Sequence, residues 1–199
     1  MEFIRFKSPS QKEMGNLGHQ LAAMHKTSVG ESFGWKQNNF IGSLPQSNKM
    51  NVSWVDFYVQ ERLLPQLKMA RDKNLLNSNE IPSVEKLMKN CEAFFPVVKP
   101  SLLHGDLWNG NYLIREDGIP FLIDPAVYIG HHEVDLAMTH LFGGFSPAFY
   151  SAYAEHIPKE SFQKERNDIY QLYYLLVHLN LFGRSYYSAV KQVLKTYFN

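Results

Sequence analysis

Three polar residues, Asp106, Asn111 and Asp124, stand at the ends of short apolar runs and together could do chemistry. They lie in the stretch 101–126, which reads Ser-Leu-Leu-His-Gly-Asp-Leu-Trp-Asn-Gly-Asn-Tyr-Leu-Ile, a turn at 115–118, then Pro-Phe-Leu-Ile-Asp-Pro-Ala. Residues 102–103, 112–114 and 121–123 are apolar and bounded by Gly, Asp, Asn or Pro, the signature of short strands. Asp117-Gly118 suits a hairpin turn between the last two. That hairpin returns Asp124 toward the loop carrying Asp106 and Asn111. Two carboxylates and an amide converging at strand ends make an oxygen-rich site suited to Mg²⁺. Singly, such residues are turn formers that satisfy local backbone groups; the convergence of three points to a site.

The spacing resembles the catalytic core of the protein-kinase-like phosphotransferases. Asp106-x4-Asn111 is similar to their catalytic loop, with Asp as base and Asn as metal ligand. Asp124 stands where the metal-binding Asp of their Asp-Phe-Gly triplet would stand, although this chain reads Ile123-Asp124-Pro125-Ala126. His104-Gly105-Asp106, in place of His-Arg-Asp, resembles the small-molecule branch that includes aminoglycoside and choline kinases. Trp108 within His-Gly-Asp-Leu-Trp-Asn-Gly-Asn, together with Ile-Asp-Pro-Ala, narrows the likeness to the fructosamine/ketosamine-3-kinase family. The stretches 42–46 (Gly-Ser-Leu-Pro-Gln), Trp54-x2-Phe57-Tyr58 and 130–137 (Gly-His-His-Glu-Val-Asp-Leu-Ala) also look like that family, so the resemblance spans nearly the whole chain.

The resemblance implies ATP and Mg²⁺ as cofactors. The partner it implies is a small-molecule ketosamine or a glycated lysine, phosphorylated at the 3-hydroxyl to promote deglycation. Asp106 would take the proton of the attacking hydroxyl or orient it, and Asn111 and Asp124 would hold the metal. Asp135, in the Asp-Leu-Ala motif that opens a helix, would accept backbone N–H groups of the catalytic loop. His104 reads as a structural ring pinning that loop. Trp108 either packs beneath the loop or lines the sugar pocket. Residues 1–7 resemble the hinge between kinase lobes, with Glu2 and Ile4 meeting the adenine. On that reading the chain is a C-terminal lobe whose N-terminal lobe lies before Met1. Two expectations follow: the chain alone transfers phosphate poorly, and Phe3, Ile4 and Phe6 form an exposed surface prone to self-association. Two alternatives stand beside this reading. An aminoglycoside-type kinase is disfavoured by Trp108 and Pro125-Ala126, and a non-catalytic C-lobe binding module by the intact Asp106, Asn111 and Asp124.

Composition is compatible. The 199 residues are 45% hydrophobic and 14% aromatic, enough for a substantial core. A formal charge of +1 supplies no long-range attraction to nucleic acid or a membrane surface. Cys91 is the lone cysteine, so no intrachain disulfide forms, and no apolar run reaches the ~18–20 residues of a membrane span. The expectation is a soluble, cytoplasmic protein.

The elements that must position the site read as mainly α in an α+β chain. Ser10-x-x-Glu13 is a capping box that opens a helix with Met14, Leu17, Leu21 and Met24 on one face. Residues 30–53 read as a long packed loop, which the family resemblance implies borders the substrate site; a docked surface loop is the alternative. A helix over 52–73 should be interrupted at Pro65, and 81–95, 133–142 and a segment opening at Ser146-Pro147 read as further helices. The stretch 163–181 is apolar nearly all round, as a central helix would be, and 184–198 closes the chain. Cys91, on the apolar face of 81–95, reads as a buried thiol. Zinc binding by His131, His132 and Glu133 is disfavoured, because adjacent histidines do not readily share one ion.

Overall fold

The computed structural model describes residues 3–27 and 29–198. In chain order it holds β1 (Phe6–Lys7), α1 (Gln11–Lys26), β2 (Asn39–Ile41), β3 (Leu44–Gln46), α2 (Trp54–Tyr58) and a π-helical turn (Val59–Leu63). There follow α3 (Leu64–Asp72), α4 (Val84–Phe94), β4 (Ser101–Leu103), β5 (Tyr112–Arg115), β6 (Pro120–Leu122) and β7 (Tyr128–Gly130). Helices α5 (Glu133–Leu141), α6 (Pro147–Ala154), α7 (Gln163–Phe182) and α8 (Tyr187–Tyr197) complete the fold. The class is α+β and helix-rich. Among the described residues no helix is long and apolar enough to cross a membrane.

Helix α7 is the axis of the larger core. Ile169, Tyr170, Leu172, Tyr173, Tyr174, Leu176 and Leu179 are all buried, which explains the absence of a polar stripe in its sequence. Trp54 and Tyr58 of α2 pack with Phe95 and Tyr170, and Phe57 packs with Trp54 and Tyr128; the polar edges of Trp54 and Tyr58 are satisfied there. The indole of Trp54 donates to the Tyr170 hydroxyl, and the Tyr58 hydroxyl donates to the Ile169 carbonyl. Cys91 is buried in this core, and burial pushes its thiol up, above the range of a reactive cysteine. A smaller core joins α1 to α6 through Met14, Leu17, Leu21, Phe149 and Tyr153, and it also encloses Leu107 of the catalytic-loop stretch. The two helices approach so closely that a Cβ at Gly18 would stand 2.3 Å from the Phe149 carbonyl oxygen.

The expected hairpin forms from β5 and β6, with Tyr112 opposite Leu122 and Ile114 opposite Pro120. It gains a third strand: β1 pairs with β5, Phe6 opposite Arg115. Lys7 reaches Glu13 at 2.8 Å, which fastens that edge to the capped start of α1. The ion pair and the capping serine hold the Glu13 carboxyl down at about 2.

Several sequence expectations need correction. The apolar run at 102–103 lies in strand β4, which pairs with β7, a three-residue strand that the sequence pattern did not reveal. The stretch 30–53 is not an unstructured loop, since β2 and β3 form a ribbon within it. The helix over 52–73 is interrupted ahead of Pro65, where the backbone widens into the π-helical turn and Leu64 N–H bonds to the Val59 carbonyl. Widening there relieves the clash a proline ring makes with the preceding helical turn. Helix α4 starts three residues later than its apolar pattern, at the Ser83 cap, whose hydroxyl accepts from Lys86 N–H. The last helix begins at Tyr187, after a short 3₁₀ turn at Arg184–Tyr186.

Candidate functional site

The loop from His104 to Asn111 is suspended between two buried anchors. His104 is 3% exposed and Leu107 0%, so alternate turns of the loop are pulled into the protein and the residues between them are presented outward. One proton arrangement satisfies the His104 ring. Its Nδ1 accepts from Asp106 N–H at 3.3 Å, which leaves Nε2–H to donate to the Ile123 carbonyl at 2.9 Å. The His104 carbonyl accepts from Ala126 N–H at 2.9 Å. The catalytic-loop stretch is thereby zipped to the segment carrying Asp124. Gly105 is required in the contact: its φ is +82°, and a Cβ would stand 2.1 Å from the Ala126 carbonyl oxygen.

Asp135, in the first turn of α5, supports the loop from below. It is fully buried; Oδ2 accepts from His104 N–H and Oδ1 from Gly105 N–H, both at 2.8 Å. His25 Nε2 reaches Oδ2 at 3.1 Å. Burial alone would push this carboxyl up, but the hydrogen bond and charge of His25, with His104 and Gly105, bring it below its ordinary value. The other end of His25 meets the Tyr153 hydroxyl at 2.8 Å, and that hydroxyl meets His132 Nδ1 at 3.0 Å. His25 was not legible as a support residue, because nothing in its helical surroundings distinguishes it from an ordinary apolar-face histidine.

Asp106 is half-buried at the loop's turn. Burial pushes its carboxyl up to about 6, against the electrostatic pull of the His104 ring and the hydrogen bond from Asn111; Asp135 and Asp124 add to the upward push. Asn111 is 6% exposed and uses its amide nitrogen twice, donating to the Asp106 carbonyl at 2.8 Å and to Asp106 Oδ2 at 3.2 Å. Its Oδ1 has no partner among the described residues. Asp124 is exposed, and its backbone is in the left-handed region at φ +50°. No hydrogen bond or ion pair holds its carboxylate among the described residues. A non-glycine residue kept in that conformation costs energy that its surroundings must supply, and such residues concentrate at functional sites.

Free oxygens of Asn111 and Asp124 at one end of the hairpin fit a hard cation that takes few protein ligands and fills its sphere with phosphate and water. Among the described residues no group of three His, Cys, Asp or Glu gathers as a metal site. His131 and Glu133 are engaged elsewhere: His131 Nδ1 meets the Tyr170 hydroxyl at 2.8 Å, and Glu133 is paired with Arg166.

Trp108 does not lie beneath the loop. Its ring is 39% exposed, covers Gly110 and stands edge-on to Phe142 at 6.5 Å. Ile4 is half-buried at a shallow recess of about 250 Å³ shared with Phe3, Arg5, Arg115 and Asp117, near the turn end of the hairpin. Asp124 and Asn111 occupy the opposite end. Glu2 lies outside the described residues. Phe3 and Phe6 are exposed, at 86% and 65%.

The full chain, residues 1–199, matches the fructosamine kinase family. It is 40% identical to a probable ketoamine kinase of Synechocystis over 98% of this chain and 65% of the relative. A chloroplastic protein-ribulosamine 3-kinase of Arabidopsis thaliana is also 40% identical, over 99% of this chain and 60% of the relative. The chain thus spans a little under two thirds of the length of these curated relatives. A crystal structure of a proposed fructosamine-3-kinase from Haemophilus somnus superposes with a TM-score of 0.89 at 30% identity, covering 100% of this chain and 67% of that one.

Proposed function

The chain belongs to the fructosamine kinase family, and from that membership we propose that it carries the phosphate-transfer site of an ATP-dependent ketosamine 3-kinase. The observation that carries the reading is the gathering of Asp106, Asn111 and Asp124 at one end of the hairpin. There the amide nitrogen of Asn111 is spent on Asp106 while its oxygen stays free.

Phosphoryl transfer asks little covalent chemistry of a protein; it asks for alignment and neutralisation of charge. Asp106 has the position for the first task. Its carboxylate would receive a hydrogen bond from the sugar 3-hydroxyl and accept the proton as the new P–O bond forms. The hydrogen bond from Asn111 Nδ2 favours the ionised form and fixes which oxygen faces outward. Asn111 Oδ1 and the Asp124 carboxylate would hold Mg²⁺, which when bound neutralises the phosphate oxygens of ATP. His104 and Asp135 keep these groups in register without touching substrate. The exposed face of Trp108, beside the loop, is placed to pack on a sugar amine, either a small ribulosamine or fructosamine or the same adduct on a lysine. The recess at Ile4 would take the adenine, so that the nucleotide lies along the hairpin with its phosphates toward Asp124.

The test is ADP release with Mg-ATP and a panel of ribulosamines and fructosamines, with Asp106→Asn set against wild type. The substitution keeps size and turn chemistry and removes the basic oxygen. Turnover should fall by at least ~10²-fold, the lower range for a positioned base. Turnover within about threefold of wild type would show that Asp106 is not the base.

A further inference from the structure

Asp124 is left-handed and exposed and makes no hydrogen bond of its own among the described residues, so its conformation has to be imposed by what holds the chain on either side. On the N-terminal side the Ile123 carbonyl is held by His104. On the C-terminal side two carbonyls are held by side chains of the β2–β3 ribbon, which packs behind the site. Gln46 Nε2 donates to the Ala126 carbonyl at 3.1 Å, and Asn39 Nδ2 donates to the Val127 carbonyl at 2.8 Å. We propose that Gln46 and Asn39 are positioning residues that clamp the backbone after Asp124 and so hold it in its left-handed, ligand-presenting conformation.

The bracket behind these two residues leaves them little freedom. Gln46 is 2% exposed; its Nε2 also donates to Asn39 Oδ1 at 2.9 Å, and its Oε1 accepts from the Tyr173 hydroxyl at 2.7 Å. Asn39 Oδ1 accepts a second bond from Asn48 Nδ2 at 2.8 Å, and Asn48 Oδ1 accepts from Arg62 Nη2 at 2.7 Å. Each amide is therefore oriented by the next, which fixes both donors toward residues 126 and 127. The network ends on a guanidinium that is fully buried and has no carboxylate partner among the described residues. Arg62 is held by the Ser47 and Glu61 carbonyls and by the Tyr128 ring, 3.9 Å from ring centre to guanidinium carbon. A buried cation without a counter-ion is costly, and its place here is accounted for by the amides it orients. The sequence 42–46 carried the family likeness without a role; its glutamine is the residue that reaches the site.

The inference rests on the proposed metal-holding role of Asp124, and two readouts keep the two apart. Gln46→Met keeps the side chain's volume and removes all its hydrogen bonds; Asn39→Ser shortens the second donor out of reach and serves if the first variant does not fold. Val190→Ala, a buried core position on α8, controls for general loss of stability. The first readout is hydrogen–deuterium exchange at the Ala126 amide, measured without metal. Exchange should speed at least tenfold in the clamp variants relative to Val190→Ala at matched unfolding midpoint. The second is Mn²⁺ binding, followed by paramagnetic broadening of the Asn111 and Ala126 amides. Its dissociation constant should rise ~10–100-fold in the clamp variants, as when outer-shell partners of metal ligands are lost. Unchanged Ala126 exchange in both clamp variants overturns the clamp. Absence of Mn²⁺ binding in wild type overturns the metal-holding reading, while the exchange result still decides the clamp.

Discussion

Asp106 and Asp135 are the same residue type in one small region, and the fold treats them in opposite ways. Asp135 is wholly enclosed yet kept ionised, because two backbone N–H groups and His25 converge on it. Asp106 is less enclosed yet pushed up to about 6, because burial acts on it with a single side-chain donor, Asn111, in return. The number of donors, more than depth, separates them. A carboxylate saturated with donors is a fixture that shapes the loop. One left short of donors is reactive, and it takes up a proton, a hydroxyl or a nearby cation when one is offered. The chain places the fixture under the reactive group and joins the two through His104 and Gly105.

The contrast can be broken most severely at the fixture. Asp135→Asn turns an amide nitrogen toward groups that themselves donate and leaves a buried donor set unmatched. Urea unfolding should show a loss of about 3–5 kcal/mol, the range for breaking a buried charged pair. A loss under 1 kcal/mol would mean that the loop does not depend on this anchor. Acid should bring a related effect in wild type. Asp135 is depressed in the folded state, so its contribution is present above the ordinary carboxylate range and is lost as pH falls through its folded value.

The reactive carboxyl should behave in the reverse sense. Asp106 titrates near 6 when folded and near its ordinary 3.8 when unfolded, so ionising it disfavours the fold. That cost is absent below about pH 4 and complete above about pH 6. In EDTA, Asp106→Asn should therefore be more stable than wild type at pH 7.5 by on the order of 3 kcal/mol, about two pKa units at 1.36 kcal/mol each. The gain should shrink to nothing by pH 4; a gain that is independent of pH would contradict the assignment. The smallest effect sharpens the donor count. His25→Leu removes one donor from Asp135 and leaves the Tyr153 hydroxyl a partner short, for a loss of about 1–3 kcal/mol. The Asp135 carboxyl should then titrate higher by carboxyl-carbon NMR, while the loop amides of His104 and Gly105 keep their bonds.

Much of this was legible in the chain because it is local. The capping box at Ser10, the apolar stripe of α1, the all-round apolar α7 and the Asp117-Gly118 turn depend on neighbours within a few residues, and each forms where the pattern lies. The strands were harder. β4 and β7 have three residues each, and their pairing joins positions 25 to 29 residues apart, which no local pattern records. The ribbon inside 30–53 pairs positions only three to seven residues apart, but its strands have three residues each and lie in a stretch rich in Gly, Asn and Ser, which reads as a loop.

By itself the sequence determined which groups are available: the order Asp106, Asn111, Asp124, the hairpin that returns the last toward the first two, and the glycine beside the loop. Those follow from residue type, period and turn chemistry. Only the tertiary structure decided what state the groups are in. Burial, with Asp135 and Asp124 nearby, raises the carboxyl of Asp106; His25, from the far end of α1, with His104 and Gly105 depresses that of Asp135; and Gln46 and Asn39 hold the backbone that follows the left-handed Asp124. Burial and hydrogen bonding act through space, and their strength depends on which distant segment supplies the last donor.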